Sequence, residues 1–134
     1  MDQLRRWMLA IAAFLAVGTA LELAVEGHYE SPVQAVPFVL AGLTIVLAGL
    51  GIASPNAHVR GRRIGMGLVL LGATFGVWEH LEHNAIFEQE IRPTADAFTV
   101  WSEAFFGGNP VLAPGLMLAM GLLLGASTSG LRVR

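Results

Sequence analysis

Residues 7–25 read WMLAIAAFLAVGTALELAV, with one charge, Glu22, and an arginine pair, Arg5-Arg6, just ahead of them. A membrane-crossing helix needs roughly 20 mostly apolar residues, so this run is read as a transmembrane span. Working outward, Val33–Ala53 carries no charge, Ile64–Leu81 is apolar until Glu79 and His80, and Val111–Gly130 is uncharged to its small polar end. Glycine and proline recur inside these segments, as bilayer helices tolerate. The expected fold is an all-α integral membrane protein, an antiparallel bundle of four transmembrane helices in a single domain covering residues 1–134.

Composition agrees. The chain is 54% hydrophobic and 13% charged, with mean hydropathy +0.62, whereas soluble domains carry about 25% charged residues. With no cysteine, disulfides, thiolate metal sites and thiol nucleophiles are excluded.

Charge placement orients the spans. Arg5, Arg6, Arg60, Arg62, Arg63, Arg132 and Arg134 all fall on one side of a four-span chain, and only Arg92 falls opposite. Arginine-rich ends stay in the cytoplasm, so both termini are expected inside. The acids sort the other way: of ten, only Asp2 lies on the inner side. The expected location is a bacterial or archaeal cytoplasmic membrane with the acidic loops extracytoplasmic. The first span also has the charge and small-residue pattern of a secretory signal, but its part in a repeat argues that it is retained.

That repeat aligns the first and third spans without a gap at an offset of 57 residues: Arg5-Arg6 on Arg62-Arg63, Glu22 on Glu79, Glu26 on His83. Ser31-Pro32-Val33 and Asn109-Pro110-Val111 open the second and fourth spans alike, each a suitable cap and first-turn proline. The unit is a helical hairpin, residues 5–57 and then 62–130, with a loop insertion at 88–109. Two hairpins in tandem share one orientation and place equivalent residues of the first and third helices across a bundle axis.

Glu22 and Glu79 each follow the arginine pair by 16 residues, about 24 Å of helix, which sets them roughly one turn inside the outer hydrocarbon edge. Glu26 and His83 lie one turn further out on the same faces. Carboxylates at that depth are expensive and need protons, bases or cations, and no lysine or arginine reaches them. Glu22, Glu26, Glu79 and His83 are therefore the candidate metal ligands, with His80, Glu82, His28 and Glu30 as additional or supporting groups. Oxygen and imidazole donors suit zinc, iron, manganese or copper(II). Carboxylate-bridged bundles use Glu and Glu-x-x-His ligands; the spacing here is Glu-x-x-x-His beside Glu-x-x-x-Glu, so the likeness is one of chemistry only. Heme is disfavoured, because the first span offers no histidine to face His83.

Between Asn84 and Asn109 the chain is too long for an ordinary helix connection of roughly two to eight residues. AIFEQEI is expected to prolong the third helix and Pro93 to stop it. Thr94 is expected to cap a short helix with Phe98, Trp101 and Phe105 on one face. That helix is read as lying along the membrane surface, or as a lid over the carboxylates. Gly107-Gly108 is expected to act as a flexible turn.

No nucleotide-binding glycine loop or hydrolase elbow is present, and no basic patch beyond the topological arginines suggests nucleic acid. No reaction follows from the sequence, and an enzyme is the less favoured reading. The preferred function is an outward-facing metal-binding membrane protein. The alternatives are a small accessory subunit of a larger membrane complex or a homodimer, packed through Gly42, Gly49, Gly115, Gly121 and Gly125, and a metal-free proton-sensing cluster.

Overall fold

The computed structural model describes residues 1–109, 111 and 114–132. Pro110 of the expected fourth-span cap, Leu112 and Ala113 of that span, and the topological Arg134 lie outside the described residues. Five helices follow in order: α1 (Asp2–Val25), α2 (Pro32–Ala53), α3 (Val59–Ile91), α4 (Ala97–Ala104) and α5 (Gly115–Ala126); no strand occurs among the described residues. Helices α1, α2 and α3 are long and apolar enough to cross a membrane, with mean hydropathies of 2.2, 2.3 and 1.4 over their most apolar windows. Only 17%, 22% and 17% of those windows are buried, so most of their apolar surface needs lipid or a partner around it.

Two compact units form, Met1–Ala73 with Leu116–Arg134, and Thr74–Gly115. In the first, α1 buries Arg5, Leu9, Ala12, Ala16 and Thr19. These alternate by four and three residues, a narrow seam of the kind that runs along paired helices. Ala16 belongs to one buried cluster with Leu40 and Ala41 of α2, Val69 and Ala73 of α3, and Met117 and Met120 of α5. One turn or more away, Leu9, Leu47, Ala48 and Leu124 form a second cluster. Alanine and glycine at these crossings let the backbones approach closely, which is how helices gain contact in lipid.

Helix ends follow local chemistry. Ser31 caps α2 in a reciprocal box: its hydroxyl accepts from the Gln34 N–H at 3.3 Å, and Gln34 Oε1 accepts from the Ser31 N–H at 3.1 Å, with Pro32 in the first turn. Helix α1 ends in a Schellman motif. The His28 N–H donates to the Leu23 carbonyl at 2.8 Å and the Gly27 N–H to Ala24 at 3.2 Å, with Gly27 at φ 69°. Helix α5 is shorter than the expected fourth span. It spans 12 residues, about 18 Å, and gives way to turns where Ser127 and Thr128 donate to the Leu124 and Gly125 carbonyls at 2.6 and 2.7 Å.

The arginines read as topological markers are also structural. Arg62, fully buried, donates to the Pro55 and Ala57 carbonyls at 2.6 and 3.0 Å and to the Ser127 hydroxyl at 3.3 Å. Arg5 reaches the Ser129 carbonyl and Asp2, both at 2.9 Å. Arg63 reaches the Thr128 hydroxyl at 3.3 Å and the Leu131 carbonyl at 2.9 Å. Together they fasten the segment after α5, whose carbonyls no longer have helical partners.

In the second unit, α3 continues through AIFEQEI and stops at Ile91, ahead of Pro93, as expected. The cap of α4 is Asp96 rather than Thr94; its carboxylate accepts from the Thr99 N–H at 2.9 Å. Helix α4 packs within the unit through its small residues. Val100 and Ala104 are buried with Ala85, while Phe98, Phe105 and Phe106 stay exposed. Trp101 turns to Trp78, ring centroids 6.0 Å apart.

Candidate functional site

The candidate residues divide between the two units. Glu22 and Glu26 occupy the last turn and cap of α1, joined by the Glu26 N–H to Glu22 carbonyl bond at 2.9 Å, and both side chains are exposed. The helix bond keeps the two on one stripe, as their spacing predicts. No basic residue stands in that turn. The peptide dipole is negative there, so two carboxylates oppose it. His28, half-buried, follows the αL glycine, and Glu30 is exposed. The Glu30 N–H donates to Gln34 Oε1 at 2.7 Å, which ties its backbone to the cap of α2.

On α3, Glu79, His80 and Glu82 are half-buried and His83 is exposed. The Nδ1 of His83 lies 2.8 Å from the Glu79 carbonyl oxygen. A carbonyl can only accept, so Nδ1 carries the proton, and in the neutral ring Nε2 holds the lone pair. This is the way metal-binding imidazoles are commonly fixed, one nitrogen anchored to a carbonyl and the other available. Glu88 and Glu103 lie 3.4 and 3.6 Å from Arg92. The one base of the outer loop is thus engaged near the α3–α4 turn. Among the described residues, no group of three or more histidine, aspartate or glutamate side chains is gathered closely enough to hold a metal ion.

Asp96 is the acid of this region whose ionisation is perturbed. The Thr99 backbone N–H stabilises its anion, with smaller help from the Thr99 side chain and the Phe98 N–H, and holds its pKa below the ordinary value of 3.8. This is capping electrostatics.

The spacing argument missed Asn84. It is 2% exposed in mid-helix. Its Nδ2 donates to the Ala104 and Asn109 carbonyls, both at 2.8 Å, and its Oδ1 accepts from the Asn109 N–H at 2.9 Å. Gly107 serves this latch. A side-chain carbon there would come within 2.7 Å of Asn84 Oδ1, so its role is close approach rather than the flexibility expected of it. The available signal was a lone asparagine inside a helix, followed by a Gly-Gly-Asn return.

The expected small-residue faces also divide. Positions 121 and 125 pack inside the chain: a side-chain carbon at Gly121 would meet Leu70 at 3.1 Å, and one at Gly125 would strike Met66. Gly42, Gly49 and Gly115 have open space around them. Comparison of the chain with family models, with curated proteins and with solved structures finds no match to any of them.

Proposed function

We propose that the chain is an integral membrane protein of four spans, both termini cytoplasmic, built from two tandem helical hairpins, and that it binds a divalent transition metal at its outward acidic end. The observation that supports the metal reading is the His83 ring, anchored through Nδ1 with Nε2 as its basic nitrogen, one helical turn from Glu79. Glu79 and Glu82 are the companion donors on α3. Glu22 and Glu26 are the donors proposed from α1, where they already oppose the helix dipole and gain from any cation. Zinc, iron, manganese and copper(II) all accept such oxygen and nitrogen donors.

The test is elemental analysis of the detergent-solubilised full chain after exposure to each metal. Stoichiometric binding is expected, falling by about tenfold or more in His83→Ala and Glu79→Gln. Glu22→Gln with Glu26→Gln tests the α1 donors separately. Absence of binding at micromolar metal, or binding that ignores His83→Ala, refutes the proposal.

A second reading is favoured by Gly42 and Gly49. Seven residues apart on α2, with open space beside both, they suit a close helix crossing with an accessory partner or a second copy. Gly42→Leu with Gly49→Leu would then abolish co-purification or dimerisation while leaving helix content unchanged. A pH-dependent transition of the outer end that needs no metal would instead favour the proton-sensing reading.

A further inference from the structure

The basic end of the first unit holds positive charge that its own acids do not balance. Arg5, Arg6, Arg60, Arg62, Arg63 and Arg132 gather at the starts of α1 and α3 and after α5. The accompanying acid is Asp2, already 2.9 Å from Arg5. Arg62 is a buried cation bonded to neutral groups alone, two carbonyls and a hydroxyl, and its Nε has no hydrogen-bond partner among the described residues. Those two carbonyls belong to Pro55 and Ala57, which form the wall of an open cavity of about 840 Å³ between the α2–α3 loop and Arg132. Ser54, Asn56, His58, Arg60 and Arg132 supply its polar lining, and among the described residues no acid lines it. Arg60 and Arg132 make no ion pair among the described residues.

Two arginines line this open surface, a buried third is bonded to the carbonyls of its wall, and guanidinium forks match phosphate oxygens. The cavity lies where α2 has ended and α3 begins. Both helices are long and apolar enough to cross a bilayer, and, on the membrane-spanning reading proposed above, a cavity at their junction stands at headgroup level. We propose that it binds a phosphate group, between Arg60 and Arg132, and that the headgroup phosphate of an anionic phospholipid is its ordinary source. Ser54 and Asn56 add neutral donors. The proposal is independent of the metal reading, which concerns other residues.

The experiment measures binding to the full chain in a neutral detergent at fixed ionic strength. Three probes are used: short-chain phosphatidylglycerol, short-chain phosphatidylcholine and inorganic phosphate. Phosphatidylglycerol is expected to bind and phosphatidylcholine to bind at least about tenfold more weakly. Arg60→Ala with Arg132→Ala is expected to weaken phosphatidylglycerol by about tenfold or more, through loss of two charge-assisted contacts. Both positions are exposed, and unchanged helical circular dichroism verifies the fold. Arg6→Ala, an exposed arginine that does not line the cavity, is expected to change affinity several-fold less than the double variant does, since a solvent-exposed charge that makes no contact acts only through screening solvent. Inorganic phosphate binding with the same dependence on Arg60 and Arg132 supports the site and identifies the free ion as its source. The proposal is overturned by equal affinity for the two lipids, by a double variant that retains its affinity, by an Arg6→Ala loss as large as the double variant's, or by the absence of binding to any probe.

Discussion

Replacing Asn84 by alanine should release the return from α4 without unfolding the first unit. The side chain is buried and makes three hydrogen bonds to Ala104 and Asn109. Each such bond is worth about 1 kcal/mol net, and a donor or acceptor left buried without its partner costs about 1–3 kcal/mol. The Ala104 carbonyl keeps its bond from the Gly107 N–H at 3.4 Å and water entering the space will reach the Asn109 groups in part, so roughly 3 kcal/mol is expected overall. The readout is amide hydrogen exchange of residues 104–109 in detergent. A loss of about 3 kcal/mol in local opening energy corresponds to exchange faster by about two orders of magnitude. Tryptophan emission should change with it, because the Trp101 and Trp78 rings lie close, tilted by 32°, in the same unit. Asn84→Asp is the sharper variant. It keeps an acceptor for the Asn109 N–H but sets a carboxylate against two carbonyls, and near neutral pH it should be at least as damaging as alanine. Exchange within threefold of the parent for both variants would refute the latch.

Three further outcomes follow from the same contacts. Arg62→Lys keeps the charge but loses the fork that spans Pro55, Ala57 and Ser127; a loss of roughly 2–3 kcal/mol is expected in denaturant unfolding, since bonds from charged groups are worth about 1.5–3 kcal/mol each and lysine will retain one or two. Gly27→Ala places a β-carbon at φ 69° and should cost about 1 kcal/mol in the same assay, shortening or fraying the end of α1. Asp96 has its pKa lowered in the fold by the Thr99 N–H, so its contribution is complete above the unfolded value and disappears as pH falls through the lower folded value. Exchange protection of the first turn of α4 should therefore decline on acidification below the ordinary 3.8. In Asp96→Asn, which caps without titrating, it should stay flat; a parallel decline in that variant would contradict the assignment.

What could be read from the sequence was what local chemistry decides. The Trp7–Val25 run, the Ser31-Pro32 cap and the stop before Pro93 each depend on neighbours a few residues away, and each appears in the structure. The α4 cap was misplaced by two residues because Thr94 and Asp96 are both competent caps. Burial of Val100 and Ala104, a tertiary event, decides between them. The inner face of α4 was not legible in the same way: it rests on the small residues Val100 and Ala104 against Ala85, and no spacing of large side chains announces it. The arginine and asparagine contacts were illegible for a different reason. Their partners are mostly backbone carbonyls, which every sequence possesses, so no residue pattern announces them.

The two kinds of charge are therefore used differently. Arg5 and Arg62 are buried and bonded to carbonyls that would otherwise lack partners; their removal should be felt as lost stability. Glu22, Glu26 and His83 are exposed. Of these three, only His83 has a side-chain hydrogen bond among the described residues, to its own helix. Such residues do little to hold the fold, and at the end of α1 the two carboxylates work against it, by about 0.3–1 kcal/mol each at a helix C-terminus. Ligand groups must be free to take a cation, and a structural role would consume that freedom. The fold leaves these acids and this imidazole available for the cation proposed above, while Arg5 and Arg62 are committed to fastening helices and the exposed Arg60 and Arg132 are left for the proposed phosphate.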